Sequence, residues 1–81
     1  MNIIKIIDGW DKKLNLALKT GRGKFGGHTP IGDIFDYKKI IEAIRNGQLC
    51  KAFDLANDLD TIARDEIPMT VWNILEKEYY K

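Results

Sequence analysis

Cysteine, histidine and proline are scarce in this sequence, and the shortage of the first two excludes whole classes of site. The chain of 81 residues has one cysteine, Cys50, and one histidine, His28. A disulfide framework and a structural zinc site both need several such residues, so neither is predicted. We therefore expect no metal site, no cofactor and a reducing, cytoplasmic environment.

Long hydrophobic runs are also missing. The most apolar stretch, "NIIKIID", contains four isoleucines and ends at Asp8. It is too short to cross a bilayer, and no small-residue cleavage site follows it. We expect neither a signal peptide nor a membrane span.

The overall composition is that of a folded protein. Hydrophobic residues make up 44% and charged residues 31% of the chain, which is typical of a globular protein and not of a disordered tail. This length predicts a single domain over 1–81 that buries only about 60 to 65% of the surface its unfolded chain exposes. A core this small leaves self-association into a homo-oligomer open.

Positive charge is concentrated at one end. Residues 1–30 hold six of the cations and only two carboxylates, whereas residues 31–81 hold seven cations and ten carboxylates. The asymmetry indicates either an anionic partner at the basic end or attraction between copies of the chain.

The segment that ends at Thr20 fits two structures. Its apolar residues recur every three or four positions, as on one side of a helix: Ile3, Ile7, Trp10, Leu14 and Ala17. The rival is a β-hairpin, because β-branched residues precede Asp8-Gly9, a dipeptide typical of tight turns. We favour the helix, and the alternative fold is α+β with an N-terminal hairpin.

A second helix is predicted between two clear signals. Thr29 followed by Pro30 is typical of a helix start, and Asn46-Gly47 is typical of a helix end. The apolar positions between them predict one buried stripe: Ile34, Tyr37, Ile41 and Ile44.

Two more helices complete the predicted bundle. One runs from about Leu49 to Arg64, with Leu59 on its buried side, and the last begins after Pro68 with Thr70 as its N-cap. The predicted fold class is mainly α, a compact bundle of three to four helices.

The loop "TGRGKFGGHTP" is the one candidate ligand site. Its glycines can turn successive N–H groups toward one point, and the following helix start favours an anion. The residues predicted to bind a phosphate-bearing ligand, a nucleotide or nucleic acid, are Arg22, Lys24, Gly26, Gly27, His28 and Thr29. The spacing matches neither GxxxxGK[ST] nor GxGxxG, so a simple hinge between helices is the alternative.

No other pattern in the sequence predicts a catalytic site, a calcium site or a DNA-recognition helix. Cys50 and His28 lack a third orienting residue, so no catalytic residue is predicted, and Cys50 is expected to be buried beside Phe53. The carboxylates of "DLANDLDTIARDE" lack the glycine and alternation of a calcium loop. The same acidic segment argues against a DNA-recognition helix, which needs positive charge.

Aromatic residues point to a protein interface. A core this small cannot fully hide Trp10, Tyr37, Trp72, Tyr79 and Tyr80. Trp and Tyr are common interface anchors, and the residues predicted to contact a partner are Trp10, Tyr79 and Tyr80. A small chain without catalytic residues acts most simply by binding. We therefore expect a non-enzymatic regulatory protein, an inhibitor or adaptor in the style of a phage- or virus-encoded one, that binds a larger protein through a helical face.

Overall fold

A computed structural model of the chain describes residues 3–20 and 31–81, and these fold into five helices with no strand. In chain order the helices are α1 (Ile3–Thr20), α2 (Ile31–Arg45), α3 (Leu49–Asn57), α4 (Thr61–Asp65) and α5 (Met69–Tyr79). The prediction of a mainly α fold is confirmed for these residues. The count is one above the predicted three to four because α4 is a separate short helix.

The hairpin alternative is wrong. Asp8 and Gly9 lie in the middle of α1, and helical spacing buries Ile7, Trp10, Leu14 and Ala17 together. A turn at Gly9 would have separated Ile7 from Trp10, so continuous burial of one stripe outweighs the β-propensity of the isoleucines.

Helix α2 ends as its sequence predicts. Gly47 has a φ of 76°, and its N–H donates to the Ile44 carbonyl at 3.0 Å while Gln48 N–H donates to the Ala43 carbonyl at 2.8 Å. This pair of hydrogen bonds is the Schellman motif, which satisfies the last carbonyls of the helix. The sharp end lets α3 pack directly against α2.

The predicted third helix is divided into two. Helix α3 stops at Asn57, and α4 starts after Asp60, whose side chain accepts a hydrogen bond from the Ala63 N–H at 2.8 Å. Short polar side chains are favourable at helix caps, and Asp60 is the N-cap of α4. Leu59 consequently lies half-buried in the connecting turn.

Two further sequence expectations are also wrong. Thr70 is not the N-cap of α5, because the helix begins at Met69 with Pro68 at the N-cap position. The Pro68 carbonyl accepts the Trp72 N–H at 3.0 Å, which is the first hydrogen bond of the helix, and no side chain caps this end. Cys50 is exposed and not buried.

The described helices share one hydrophobic core. Helix α1 packs on α2 and α5, α2 packs on α3, and α3 packs on α5. Tyr37 is completely buried within this core, and its hydroxyl donates to the Ala63 carbonyl at 2.8 Å, which ties α4 to the bundle.

Gly9 and Gly47 are expected to respond in opposite ways to an added side chain. Gly47→Ala should destabilise by about 1 kcal/mol, because alanine resists a positive φ. Gly9→Ala should instead stabilise by roughly 0.5 to 1 kcal/mol, because Gly9 lies within a helix and an added Cβ meets nothing within 4 Å. Urea denaturation of both variants measures the difference; effects of the same sign would contradict the two backbone assignments.

Candidate functional site

The predicted phosphate-binding loop lies outside the described residues. This applies to Arg22, Lys24, Gly26, Gly27, His28 and Thr29 alike. Binding of a phosphate-bearing ligand by this loop therefore stays a prediction, as does the helix start at Thr29-Pro30.

The predicted interface aromatics are placed in different environments. Tyr79 and Tyr80 are 43% and 74% exposed, whereas Trp10 is only 3% exposed. The Trp10 ring packs at 5.4 Å from that of Tyr37, so this side chain belongs to the core and leaves the exposed surface to the two tyrosines. Helical phase explains the difference, because Trp10 shares the stripe of Ile7 and Leu14.

The tyrosines belong to a cluster of rings between α3 and α5. The buried Phe53 lies 4.9 Å from Tyr79, 6.1 Å from Tyr80 and 5.0 Å from Trp72, measured between ring centroids. Tilted and edge-on contacts at such distances are favourable for aromatic rings. The cluster fixes the orientation of α5 and joins its C-terminal end to Trp72.

Trp72 also lines an open groove between α4 and α5. The groove has a volume of about 480 Å³. Its wall is formed by Thr61, Arg64, Asp65, Ile67, Met69 and Trp72, and we call it the α4–α5 groove. Met69 in the wall is 77% exposed, and Ile62 of α4, which does not line the groove, is 79% exposed.

One hydrogen-bond donor in this groove is unsatisfied. Arg64 Nε is buried without a partner, although another guanidinium nitrogen of the same side chain donates to Thr61 Oγ1 at 3.3 Å. Leaving a buried donor unpaired costs roughly 1 to 3 kcal/mol, so the groove is suited to an acceptor oxygen.

A second pocket lies between Pro68 and α1. It has a volume of about 280 Å³. The wall is formed by Lys5, Ile6, Gly9, Trp10, Lys13 and Pro68, and we call it the α1 pocket. Trp10 Nε1, like Arg64 Nε, is buried without a hydrogen-bond partner; within the described ranges these are the two such side-chain atoms.

Ion pairs leave the lysines of this pocket unneutralised. The carboxylates of α1 form ion pairs with cations of α2: Asp8 pairs with Arg45 at 2.7 Å, and Asp11 pairs with Lys38 at 2.9 Å. The hydrogen bond to Asp8 is the main cause that raises the pKa of Arg45. Lys5 and Lys13 are exposed and form no ion pair with any described residue.

Negative charge collects elsewhere, around the starts of α2 and α4. Burial, together with the nearby carboxylates of Asp60 and Asp36, raises the pKa of Asp33. No group of three or more metal-ligating side chains that could hold an ion occurs among the residues described. None of the described helices is long and apolar enough to cross a membrane.

Sequence reasoning missed both cavities because each depends on tertiary packing. The sequence predicted one long helix that includes Ile62 and ends at Arg64. It assigned Met69 to no surface. The signal that marks the place is Pro68, since the chain must turn there between α4 and α5. Proline is unfavourable inside a helix, so it predicts a break between two helical segments at this place.

Comparison with protein-family models, with curated proteins and with solved structures finds no match.

Proposed function

We propose that this chain is a small, non-enzymatic regulatory protein of the cytoplasm that binds a larger protein through the α4–α5 groove. The observation that carries the proposal is Met69, which is mostly exposed in the wall of a concave site, together with the exposed Ile62 on α4, the helix that supplies part of that wall. An apolar side chain of the partner would occupy the groove and contact Met69 and Trp72. Such docking removes apolar surface from water, the main driving force of protein association.

The polar part of the groove sets the orientation of the partner. Arg64 Nε lacks an acceptor inside the protein, so a backbone carbonyl or carboxylate oxygen of the partner would satisfy it. Satisfying a buried donor only in the complex contributes to specificity, because a partner without a matching oxygen leaves the donor unpaired. The groove thus selects for an apolar side chain with an acceptor oxygen beside it.

The exposed tyrosines extend the same surface. Trp72 contacts both the groove and, through Phe53, the rings of Tyr79 and Tyr80. We propose that Tyr80, at 74% exposure, is a peripheral contact. Met69 and Trp72 would form the centre, since truncation of central, desolvated residues costs most at interfaces.

The experiment is affinity capture from the native host, followed by reconstitution with each captured protein in purified form. The double variant Ile62→Ser with Met69→Ser should weaken binding by roughly tenfold or more, the effect of removing two interface anchors. Its thermal unfolding should stay close to that of the wild type, because both side chains are mostly exposed. Isothermal titration calorimetry measures the change in affinity.

Matched controls come from exposed apolar residues on other helices. Leu16 of α1 is 55% exposed and Phe35 of α2 is 54% exposed, so Leu16→Ser and Phe35→Ser remove comparable surface away from the groove. Both should bind the purified partner as the wild type does. Loss of binding in a control variant, with the groove variant unaffected, would place the interface on another face.

A further inference from the structure

The α1 pocket and the α4–α5 groove are separated by a single short segment of chain. Pro68 lines the pocket, while its neighbours Ile67 and Met69 line the groove. Consecutive residues of this segment therefore contribute to both cavities. The pocket differs chemically from the groove, because its wall carries two cations and no carboxylate.

Three features of the α1 pocket favour one kind of ligand. Trp10 is only 3% exposed, and its Nε1 is buried without a hydrogen-bond partner. Indole nitrogen can only donate, so the missing partner is an acceptor. Lys5 and Lys13 add positive charge and further donors, since neither is neutralised by a described carboxylate. Acceptor atoms with negative charge fit all three.

The helical positions make the arrangement specific. Lys5, Gly9 and Lys13 follow one another at intervals of four residues, so they form one row along α1, and Trp10 lies next to Gly9. At the middle of this row Gly9 has no side chain, and an added Cβ would meet nothing within 4 Å. The row thus leaves an opening between two lysines, large enough for a compact anionic group.

We infer that the α1 pocket is a subsite for a carboxylate side chain of the protein partner. The inference rests on the proposed function and adds the chemistry of the partner: a segment with an apolar residue for the groove and an Asp or Glu for the pocket. Charge-assisted hydrogen bonds from Lys5 and Lys13, with the Trp10 N–H, hold the carboxylate. The acidic surface around Asp33, Asp36 and Asp60 repels such a segment and directs it toward α1.

The test uses nuclear magnetic resonance of the intact chain, observing the indole N–H signals of the two tryptophans. Trp72→Phe identifies which signal belongs to Trp10. Titration with N-acetylglutamate amide, which carries one side-chain carboxylate, should move the Trp10 signal in a saturable way at millimolar concentrations. N-acetylglutamine amide is the neutral control and should not move it, because it has the same shape without the charge.

The lysines provide the second arm. In the double variant Lys5→Gln with Lys13→Gln, affinity for N-acetylglutamate amide should fall roughly tenfold or more. Lys12→Gln with Lys19→Gln removes the same charge from elsewhere on α1 and should leave the Trp10 response unchanged. If both double variants lost affinity for N-acetylglutamate amide equally, the effect would come from net charge alone. That result would overturn the inference.

Two more outcomes decide the assignment. Absence of a saturable shift, or an equal shift with the neutral amide, would overturn the subsite. A stronger response to inorganic phosphate than to the carboxylate would overturn the choice of ligand. These readouts do not depend on Ile62 or Met69, so failure of the subsite is distinguishable from failure of docking in the groove.

Discussion

Leu14→Ala should lower the free energy of unfolding by about 2 to 5 kcal/mol, the largest single loss we expect from this chain. Leu14 is completely buried on the stripe of α1 that faces the core. Removing its branched end loses transfer energy and leaves a cavity that neighbouring helices fill only in part. A loss of this size is a large share of the total stability of a small domain, about 5 to 15 kcal/mol. Urea denaturation followed by circular dichroism measures it.

Leu16→Ala is the matched control on the same helix. Leu16 is 55% exposed, so its truncation removes little buried surface, and alanine has the higher helix propensity. The expected change is within about 0.5 kcal/mol of zero. Equal losses at the two positions would mean that the buried side of α1 is wrongly assigned.

Tyr37→Phe should cost about 1 to 3 kcal/mol, although it removes one oxygen atom and keeps the ring. The Tyr37 hydroxyl donates to the buried Ala63 carbonyl at 2.8 Å and lies 3.2 Å from Glu66 Oε2. Phenylalanine preserves the packing against Trp10 but leaves these acceptors with one donor fewer. Thermal and urea unfolding at neutral pH measure the loss.

The difference in free energy of unfolding between the wild type and Tyr37→Phe should also depend on pH. Burial, followed by the charge of Glu66 and the hydrogen bond to it, raises the pKa of Tyr37 above its ordinary value of 10.0. The folded protein therefore holds this proton more tightly than the unfolded chain. The contribution of Tyr37 is fully present below pH 10 and declines as the pH rises above it. The difference in stability between wild type and Tyr37→Phe should be constant up to about pH 10 and narrow progressively as the pH rises above it.

Tyr80→Phe is the control for the hydroxyl. Tyr80 is 74% exposed, so its hydroxyl has water as a partner in the folded and unfolded states. Its loss should change stability by less than about 0.5 kcal/mol at neutral pH. A difference for Tyr37→Phe that stays constant or widens at high pH would contradict the role of the buried hydroxyl.

Periodicity predicted the helical character of α2 and favoured it for α1, where a hairpin stayed open as the alternative. Most of the buried residues of these two helices were predicted, since a spacing of three and four places side chains on one side whatever they pack against; Ile40 and Ala43 of α2 are buried in addition. The end of α2 was equally local, because a positive φ at Gly47 and two backbone hydrogen bonds complete it. Helix type and helix end in these segments depend on neighbours in sequence.

Tertiary structure decided where the third predicted helix breaks. Asp58 and Asp60 are each compatible with a helix interior or a helix end. The local sequence therefore does not determine where the helix breaks. The break at Asp60 places Ala63 where its carbonyl accepts the Tyr37 hydroxyl, a contact between residues 26 positions apart. A long-range contact of this kind selects between local structures of similar free energy.

Tertiary structure also decided which aromatic residues are exposed and where the cavities lie. The count of aromatics predicted that some would reach the surface, and the packing placed Tyr79 and Tyr80 outside and Trp10 inside. The α4–α5 groove requires α4 and α5 to lie side by side, and the α1 pocket requires Pro68 to lie against α1. The sequence determined helices and their apolar sides, because those depend on spacing within a few turns. The folded chain alone decided which side chains share a cavity, because that depends on contacts between residues far apart in sequence.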